Sequence, residues 1–554
     1  MKKKMRRIFA IFLTTVMILS LTAACSKGTT DQSTPDVTSS SPEGVQSPTQ
    51  PVQPTSSEPS VPPEQDAYVG KTLTVAMGAE PTVLLPQAGI MNNGASTVVM
   101  AMADYLFFYN ENGEIVPSIA TGSEWVDDLH LRIFLRNDVY SSQGYHITAE
   151  DVLFSWQLGK NLGLNARSYT ADYDVDGWTV EDDYTLVMKL NVPCATILDG
   201  IVNSAFVIVS KQAYEEFSSL DDVLVNPQVY TGRYKFVEWV PGQYVLLEYN
   251  KNYWDHTYVP SFLYIRFTWV ADSAARTMAV QSGAADIAEE LSRADVSSVE
   301  GNPGLNTYTI PANTVVGMYF NCSRAPLDDA RVRRAIRMLI DPAAVQSLFG
   351  GDIVESVVSS NLYLYWKEGA AYIGDRSRNI AGAKALLAEA GYPDGFELDA
   401  LISTAANYPL LAQLIQANLA DAGIKVNIVQ TQQSEFFSRL DTADYDLLLR
   451  NAGSATLQIQ EWRRFDRNTE VIAARGHTLY ANPALDDLIN TWNTNFDADI
   501  RLQAAYDIQK ILIDDAPAIG FTNAYNYAVS TNNLTNAFGD STSNLFVIWI
   551  RPVN

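Results

Sequence analysis

The residues with the most chemical promise fall in one stretch, Asp446 to Trp462, "DLLLRNAGSATLQIQEW". It begins as an apolar strand, passes the guanidinium of Arg450, and enters Asn451, Ala452, Gly453, Ser454 and Ala455 before reaching Trp462. A strand that empties into small polar residues is either a turn or the floor of a binding cleft, because clefts need a few polar groups held by rigid elements. Arg450, Asn451 and Ser454 offer donors and little bulk, which suits an anionic or neutral polar group. No acid lies between Asp446 and Glu461.

Signatures of covalent chemistry are missing from the sequence. It contains no H-E-x-x-H and no G-x-S-x-G. Gly70-Lys71-Thr72 has the end of a phosphate loop, but Gln65 stands where its leading glycine is required. The pairs Asp182-Asp183 and Asp328-Asp329 are adjacent acids in turns or helix starts, where turn formation and capping explain them. His130, His146, His256 and His477 are scattered, so no zinc cluster and no cofactor is expected. Nothing in these features asks for an enzyme; an exported hydrolase with an unfamiliar motif is the enzymatic alternative.

The elements that must position these groups follow from periodicity. Thr72–Met77 alternates as a strand and runs into a turn holding Glu80. Asn112-Gly113 is a hairpin signal between apolar runs. His130–Arg136 reads as a strand, and Thr148 with Asp151 three places on reads as a capping box opening a helix. A hairpin is expected to turn at Glu181–Asp183, and Gly283 is expected to close the helix "SAARTMAVQSG". Residues 315–321 read as a strand. In the helix after it, Val332, Ile336 and Leu339 share one face, and the arginines between them read as solvated. Strand, helix and strand over "GFELDALIS", "PLLAQLIQANLADAG" and "IKVNIVQ" predict a parallel βαβ unit.

The chain has 554 residues, 47% of them hydrophobic, room for about three to four domain-sized units. A net charge of −25 argues against a nucleic-acid partner and suits an exported, soluble body. The N-terminus carries Lys2, Lys3, Lys4, Arg6 and Arg7, then an apolar Ile8–Leu21, then Ala23-Ala24-Cys25. This reads as a secretory signal over 1–24, and Leu21–Cys25 resembles the bacterial lipobox, with Cys25 as the lipid attachment site. Residues 26–66 are rich in Ser, Thr, Pro and Gln, with almost no large apolar side chains, and read as a disordered tether. Cys194 and Cys322 are the remaining cysteines, and spacing leaves a disulfide between them undecided.

Several blocks line up in one order: "AEPTVLLPQ", "ENGEIVPSIATGSEW", "LRIFLRNDVYSSQGYHITAEDVLFSW", "YTGRYKFVEWVPGQYVLLEYNKNYWD", "MAVQSGAADIAEEL", "MYFNCSRAPLDDARVRRAIRMLID" and "AKALLAEAGYPDG". Together they resemble the oligopeptide/dipeptide-binding family of ABC-transporter solute-binding proteins, family 5, over nearly all of residues 68–554. The resemblance implies an α/β, two-lobed periplasmic-binding-protein-like fold of the class II type. Lobe I would comprise 67–110, 231–314 and 519–554, with an extra subdomain at 111–230, and lobe II would be 315–518. Hinge crossings would lie near Ala312–Tyr319 and Pro517–Phe521.

The implied function is capture of a peptide or other medium-sized polar solute and delivery to membrane permease subunits. The protein would be a lipid-anchored monomer on the extracytoplasmic face; an extracellular solute sensor on the same fold is the alternative. In this geometry Glu80 after its strand, Tyr319 and Asn321 on the crossing strand, and Arg450, Asn451, Gly453, Ser454 and Trp462 would face the ligand. Peptide-binding members carry an aspartate for the ligand's α-amine near Leu457; here that place has no acid, so standard peptide capture is in question, with Glu461 or Glu80 as substitutes. Nickel and haem, also ligands in the wider family, are disfavoured by the scarce histidines.

Overall fold

The computed structural model describes residues 72–552 except 90, 110–114, 164–171, 203–205, 258–259, 363, 404–406, 432, 453–477 and 536–550. The signal, Cys25 and the tether therefore lie outside the described residues, as do Gly453, Ser454 and Trp462.

Strand β1 (Thr72–Met77) opens the first half of the molecule. Leu73, Val75 and Met77 pack on one face and Ala76 on the other, as the period of two requires. β2 (Phe107–Tyr109) and β3 (Ile115–Pro117) pair antiparallel around the expected Asn112-Gly113 turn, which is itself outside the described residues. β4 (Ala120–Asp127), β5 (His130–Leu135), β6 (Thr179–Asp182) and β7 (Thr185–Lys189) form a four-stranded sheet in the order β4-β5-β7-β6. The helix Ala149–Leu162 packs against this sheet, and Thr148 and Asp151 cap it reciprocally. Its Trp156 is fully buried and stacks on Phe206 at 5.2 Å.

The chain then returns through β8 (Tyr234–Val240), β9 (Tyr244–Tyr249), β10 (Tyr264–Trp269) and β11 (Ile287–Ala288) to β12 (Leu305–Phe320). β13 (Glu397–Ser403), β14 (Lys425–Thr431) and β15 (Leu447–Ala452) follow, and β16 (Ala518–Thr531) runs back. Together these form a ten-stranded sheet, β14-β13-β15-β12-β16-β11-β1-β10-β9-β8. β13 and β14 pair in parallel with the helix Tyr408–Ala420 between them, as the βαβ pattern predicts.

β12 and β16 build the link between two cores. Leu305–Pro311 pairs with Tyr525–Thr531, and Val315–Tyr319 with Ala518–Asn523. Between those ladders the register slips, with Ala312–Thr314 facing Ala524. On one side of the slip the sheet supports the lobe I core around Leu73, Val75, Val98, Val245 and Phe267. On the other, Val316, Met318, Phe320, Ile519 and Phe521 belong to the lobe II core. This is a two-lobed arrangement with two long strands common to both halves.

One expectation is corrected here. The helix Ala330–Met338 does not present all its arginines to water: Arg333 is buried, and its guanidinium donates to the carbonyls of Asp515 (2.9 Å) and Leu327 (2.7 Å). Arg337 donates to the Ile513 carbonyl, and burial holds its pKa down to about 10. The helix Ala498–Asp515 ends against this helix, and its last carbonyls have no intrahelical donors. Arg333 and Arg337 supply them, and cations are favoured at that end of a helix. Cys194 and Cys322 are not joined in a disulfide, and burial pushes the Cys322 thiol up to about 12.

Candidate functional site

The two lobes meet first at the slip in β12 and β16. Ala312 is left without a ladder partner there, and its carbonyl accepts from Asn361 Nδ2 (3.1 Å) and Ser359 Oγ (3.5 Å). Across from it, the buried Asn523 side chain accepts from the Ser360 N–H (3.3 Å) and donates to Ser360 Oγ (2.5 Å). Thr522 Oγ1 donates to the Gly350 carbonyl at 2.6 Å. Gly351, with φ +77°, lies so close that an added Cβ would sit 1.7 Å from the Asn523 carbonyl oxygen. Residues 350–361 of lobe II thus wrap the crossing strands and replace the backbone bonds that the slip removes.

A second meeting point is far from the first in sequence. Trp125 on β4 meets Phe496, which follows the lobe II helix Pro483–Thr494, edge to face with ring centroids 5.1 Å apart. The Ala195 N–H donates to the carbonyl of Asn493 at 2.7 Å. That carbonyl belongs to the last turn of its helix, where backbone acceptors lack intrahelical donors. The four-stranded region therefore reaches lobe II directly, a contact that no local sequence pattern announces.

The predicted site residues divide. Arg450 and Asn451 close β15, in register with Gly317 and Val316 of the neighbouring crossing strand β12. Arg450 is half-buried, donates Nε to the Asn451 carbonyl at 2.9 Å, and its charge bears on the phenols of Tyr408 and Tyr445. Asn451 is exposed. Glu80 follows β1 in lobe I; its Oε1 accepts from Trp239 Nε1 (3.0 Å) and the Gly242 N–H (3.1 Å).

Tyr319 and Asn321 are corrected. Tyr319 is fully buried among Val357, Val358, Leu364 and Leu448, inside the lobe II core. Asn321, 1% exposed, donates Nδ2 to the carbonyls of Ala443 and Tyr445, both at 3.1 Å. Its Oδ1 accepts from the Ser323 N–H and hydroxyl, so all its capacity is used within lobe II. A strand covered on both faces buries every side chain, and β12 is such a strand where it enters lobe II.

Sequence reasoning passed over Glu289 and Glu290, which follow β11. β11 and β10 both pair in parallel with β1, so Glu80, Glu289 and Glu290 come off the carboxyl ends of neighbouring strands. Glu290, in the left-handed region at φ +55°, accepts from the Gly78 N–H (3.2 Å) and Asn93 Nδ2 (2.9 Å). Glu289 is 8% exposed, and burial pushes its carboxyl up to about 8. The available signal was the pair of acids at the end of the apolar "ADIA", where a strand end should face either water or a site. Among the described residues no group of three or more His, Cys, Asp or Glu side chains could hold a metal ion.

Comparison with known proteins agrees with this architecture. The family model described as bacterial extracellular solute-binding proteins, family 5 Middle, matches residues 114–462. A glutathione-binding protein, GsiB of Pectobacterium atrosepticum, is 24% identical over 488 residues, covering 84% of this chain and 91% of that one. Among solved structures, DppA of Helicobacter pylori in complex with the peptide STSA superposes with a TM-score of 0.75 at 20% identity, over 87% of this chain and 98% of that one. AgaA of A. tumefacien R10 in complex with agropinic acid superposes with a TM-score of 0.74 at 20% identity, over 87% and 99%. With the family matched over more than half of its length, the chain belongs to the bacterial extracellular solute-binding proteins of family 5, which bind cargo for transporters and are not enzymes.

Proposed function

We propose that this protein captures a peptide or another medium-sized polar solute between its two lobes and hands it to the permease subunits of an ABC importer. The observation that carries this reading is the pairing of two contacts: lobes joined by two slipped strands, and a separate meeting of Trp125 with Phe496. Lobes joined that way can rotate about the strands and enclose a solute, the hinge motion of binding proteins. The relatives' cargo, glutathione, a peptide and agropinic acid, spans peptides and other polar solutes.

In this reading lobe I takes 67–110 and 231–314, the extra subdomain 111–230, and lobe II begins at 315. Lobe II continues past 518, because Ile519 and Phe521 pack in its core, which moves the second crossing from Pro517–Phe521 to Asn523–Tyr525. Arg450 and Asn451 form the lobe II wall, and Glu80 stands on lobe I; Gly453, Ser454 and Trp462 lie outside the described residues. Cys25 carries the lipid, residues 26–66 tether the monomer, and the body works on the extracytoplasmic face of the membrane. More than one acyl chain gives the stable anchoring this requires.

The test is direct. Mass spectrometry of the purified protein should reveal a co-purifying polar solute, and a deletion strain should lose uptake of that solute. Undiminished uptake in the deletion strain would refute the importer role.

A further inference from the structure

Three acids of lobe I, Glu80, Glu289 and Glu290, follow strands that end at one edge of the sheet. β1, β10 and β11 end at one edge, and in open α/β sheets ligands bind outside the carboxyl ends of the strands. Ile287 packs on the same sheet face as Leu73, Val75 and Met77, and Ala288 on the opposite face with Ala76. By that alternation Glu289 points to the Ile287 side. The helix Asn93–Met102 and residues 207–230 cover that side further back, and from it the four-stranded region extends to meet lobe II.

The Glu289 carboxyl is nine-tenths buried, and its Oε1 has no hydrogen-bond partner among the described residues. Native proteins satisfy nearly all buried polar atoms, so an orphaned carboxyl oxygen marks a missing partner. Arg276 does not fill the place: its guanidinium donates to the carbonyls of Val270, Ala271, Glu289 and Glu290. Its charge offsets one of the acids nearby, while Glu290 adds a second carboxylate and Glu80 stands two residues beyond Gly78.

We propose that Glu289 and Glu290 form the subsite for a cationic group of the solute, a primary ammonium such as a peptide's free amine. It rests on the reading that the cleft takes a peptide-like solute. An ammonium offers three donors and no acceptor, which matches the Glu289 oxygen that lacks a donor, with the Glu290 carboxylate beside it. With Arg450 on lobe II, the solute lies with its cationic end on lobe I and its anionic end on lobe II.

The experiment uses calorimetry on the wild-type protein, Glu289→Gln and Glu290→Gln against a panel of tripeptides, each with a free and an N-acetylated amine. Wild type should prefer the free-amine forms, and Glu289→Gln should weaken them about 30-fold or more, the loss typical of removing one partner of a buried charge pair. Acetylated forms should be unaffected by either substitution. Glu290, exposed, provides a second variant that keeps the test open should Glu289→Gln fold poorly. Equal binding of free and acetylated peptides, or equal losses for both in the variants, would overturn the subsite and leave solute capture standing. Binding of no panel member by wild type would overturn the peptide reading and the subsite with it.

Discussion

Trp125 and Phe496 touch edge to face at 5.1 Å, joining the four-stranded sheet to the end of a lobe II helix. Phe496 nevertheless stays 44% exposed, so the contact is a rim interaction and not part of either core. Edge-to-face pairs contribute about 0.5–1.5 kcal/mol beyond their burial. Trp125→Ala or Phe496→Ala should therefore weaken solute affinity by about threefold to tenfold, equivalent to that energy. The melting temperature without solute should barely change for Phe496→Ala, because that ring packs in no core, whereas Trp125→Ala also loses packing against the core of the four-stranded sheet. A double-mutant cycle by calorimetry checks this; additive losses would mean that the rings do not act together.

Gly351 is the tightest point of the crossing. Its φ of +77° disfavours any other residue, and a Cβ would enter the Asn523 carbonyl. Gly351→Ala should destabilise the fold by about 1–3 kcal/mol or more, from strain plus displacement of β16. Urea denaturation measures it. Gly374, with φ +72° and open space around it, is the control, and its alanine variant should lose only the conformational part.

Glu289 gives a pH signature. Its carboxyl rises from 4.5 to about 8 in the folded protein, through burial and the charge of Glu290, against the opposing charge of Arg276. The folded state then holds a proton that the unfolded state releases, so this group's contribution to stability falls as pH rises from about 4.5 to about 8. Glu289→Gln removes that dependence. Urea melts from pH 5 to 8 without solute should show the variant gaining stability relative to wild type as pH rises. A constant difference across that range would contradict the assignment.

Cys25→Ser should abolish lipid incorporation and leave an unprocessed precursor. Labelling cells with radioactive palmitate checks it; label entering the variant would contradict the anchor.

Much of the fold was legible because its signals are local. The Thr148–Asp151 cap, the closure at Gly283 with φ +75°, and the parallel β13–β14 unit each follow from a few neighbouring residues. β12 was legible only from Val315, since Pro311 looks like a strand breaker. It is tolerated there because the ladder slips just beyond it, where a missing N–H costs little. Arg333 reads as a surface residue until the Asp515 carbonyl is set against it, 182 residues away in sequence. The site was less legible than the fold. Tyr319 was correctly placed on the crossing strand and Asn321 lies one residue past its end, but sequence does not show that lobe II covers both faces of that strand. Glu289 carries no motif, and its interest arises only from the burial that the neighbouring strands impose.

Solute-driven closing of the lobes is the central claim, and the distance between them tests it most directly. Val126 and Ile500 are exposed, at 49% and 46%, one in the four-stranded sheet and one in lobe II. Fluorophores on Val126→Cys and Ile500→Cys would report that distance by energy transfer, with Cys194→Ser and Cys322→Ser removing the native thiols. Stripping the co-purifying solute should lower the transfer, and adding it back should restore a single high-transfer population. Identical transfer with and without the solute, at concentrations where calorimetry shows it bound, would contradict the account.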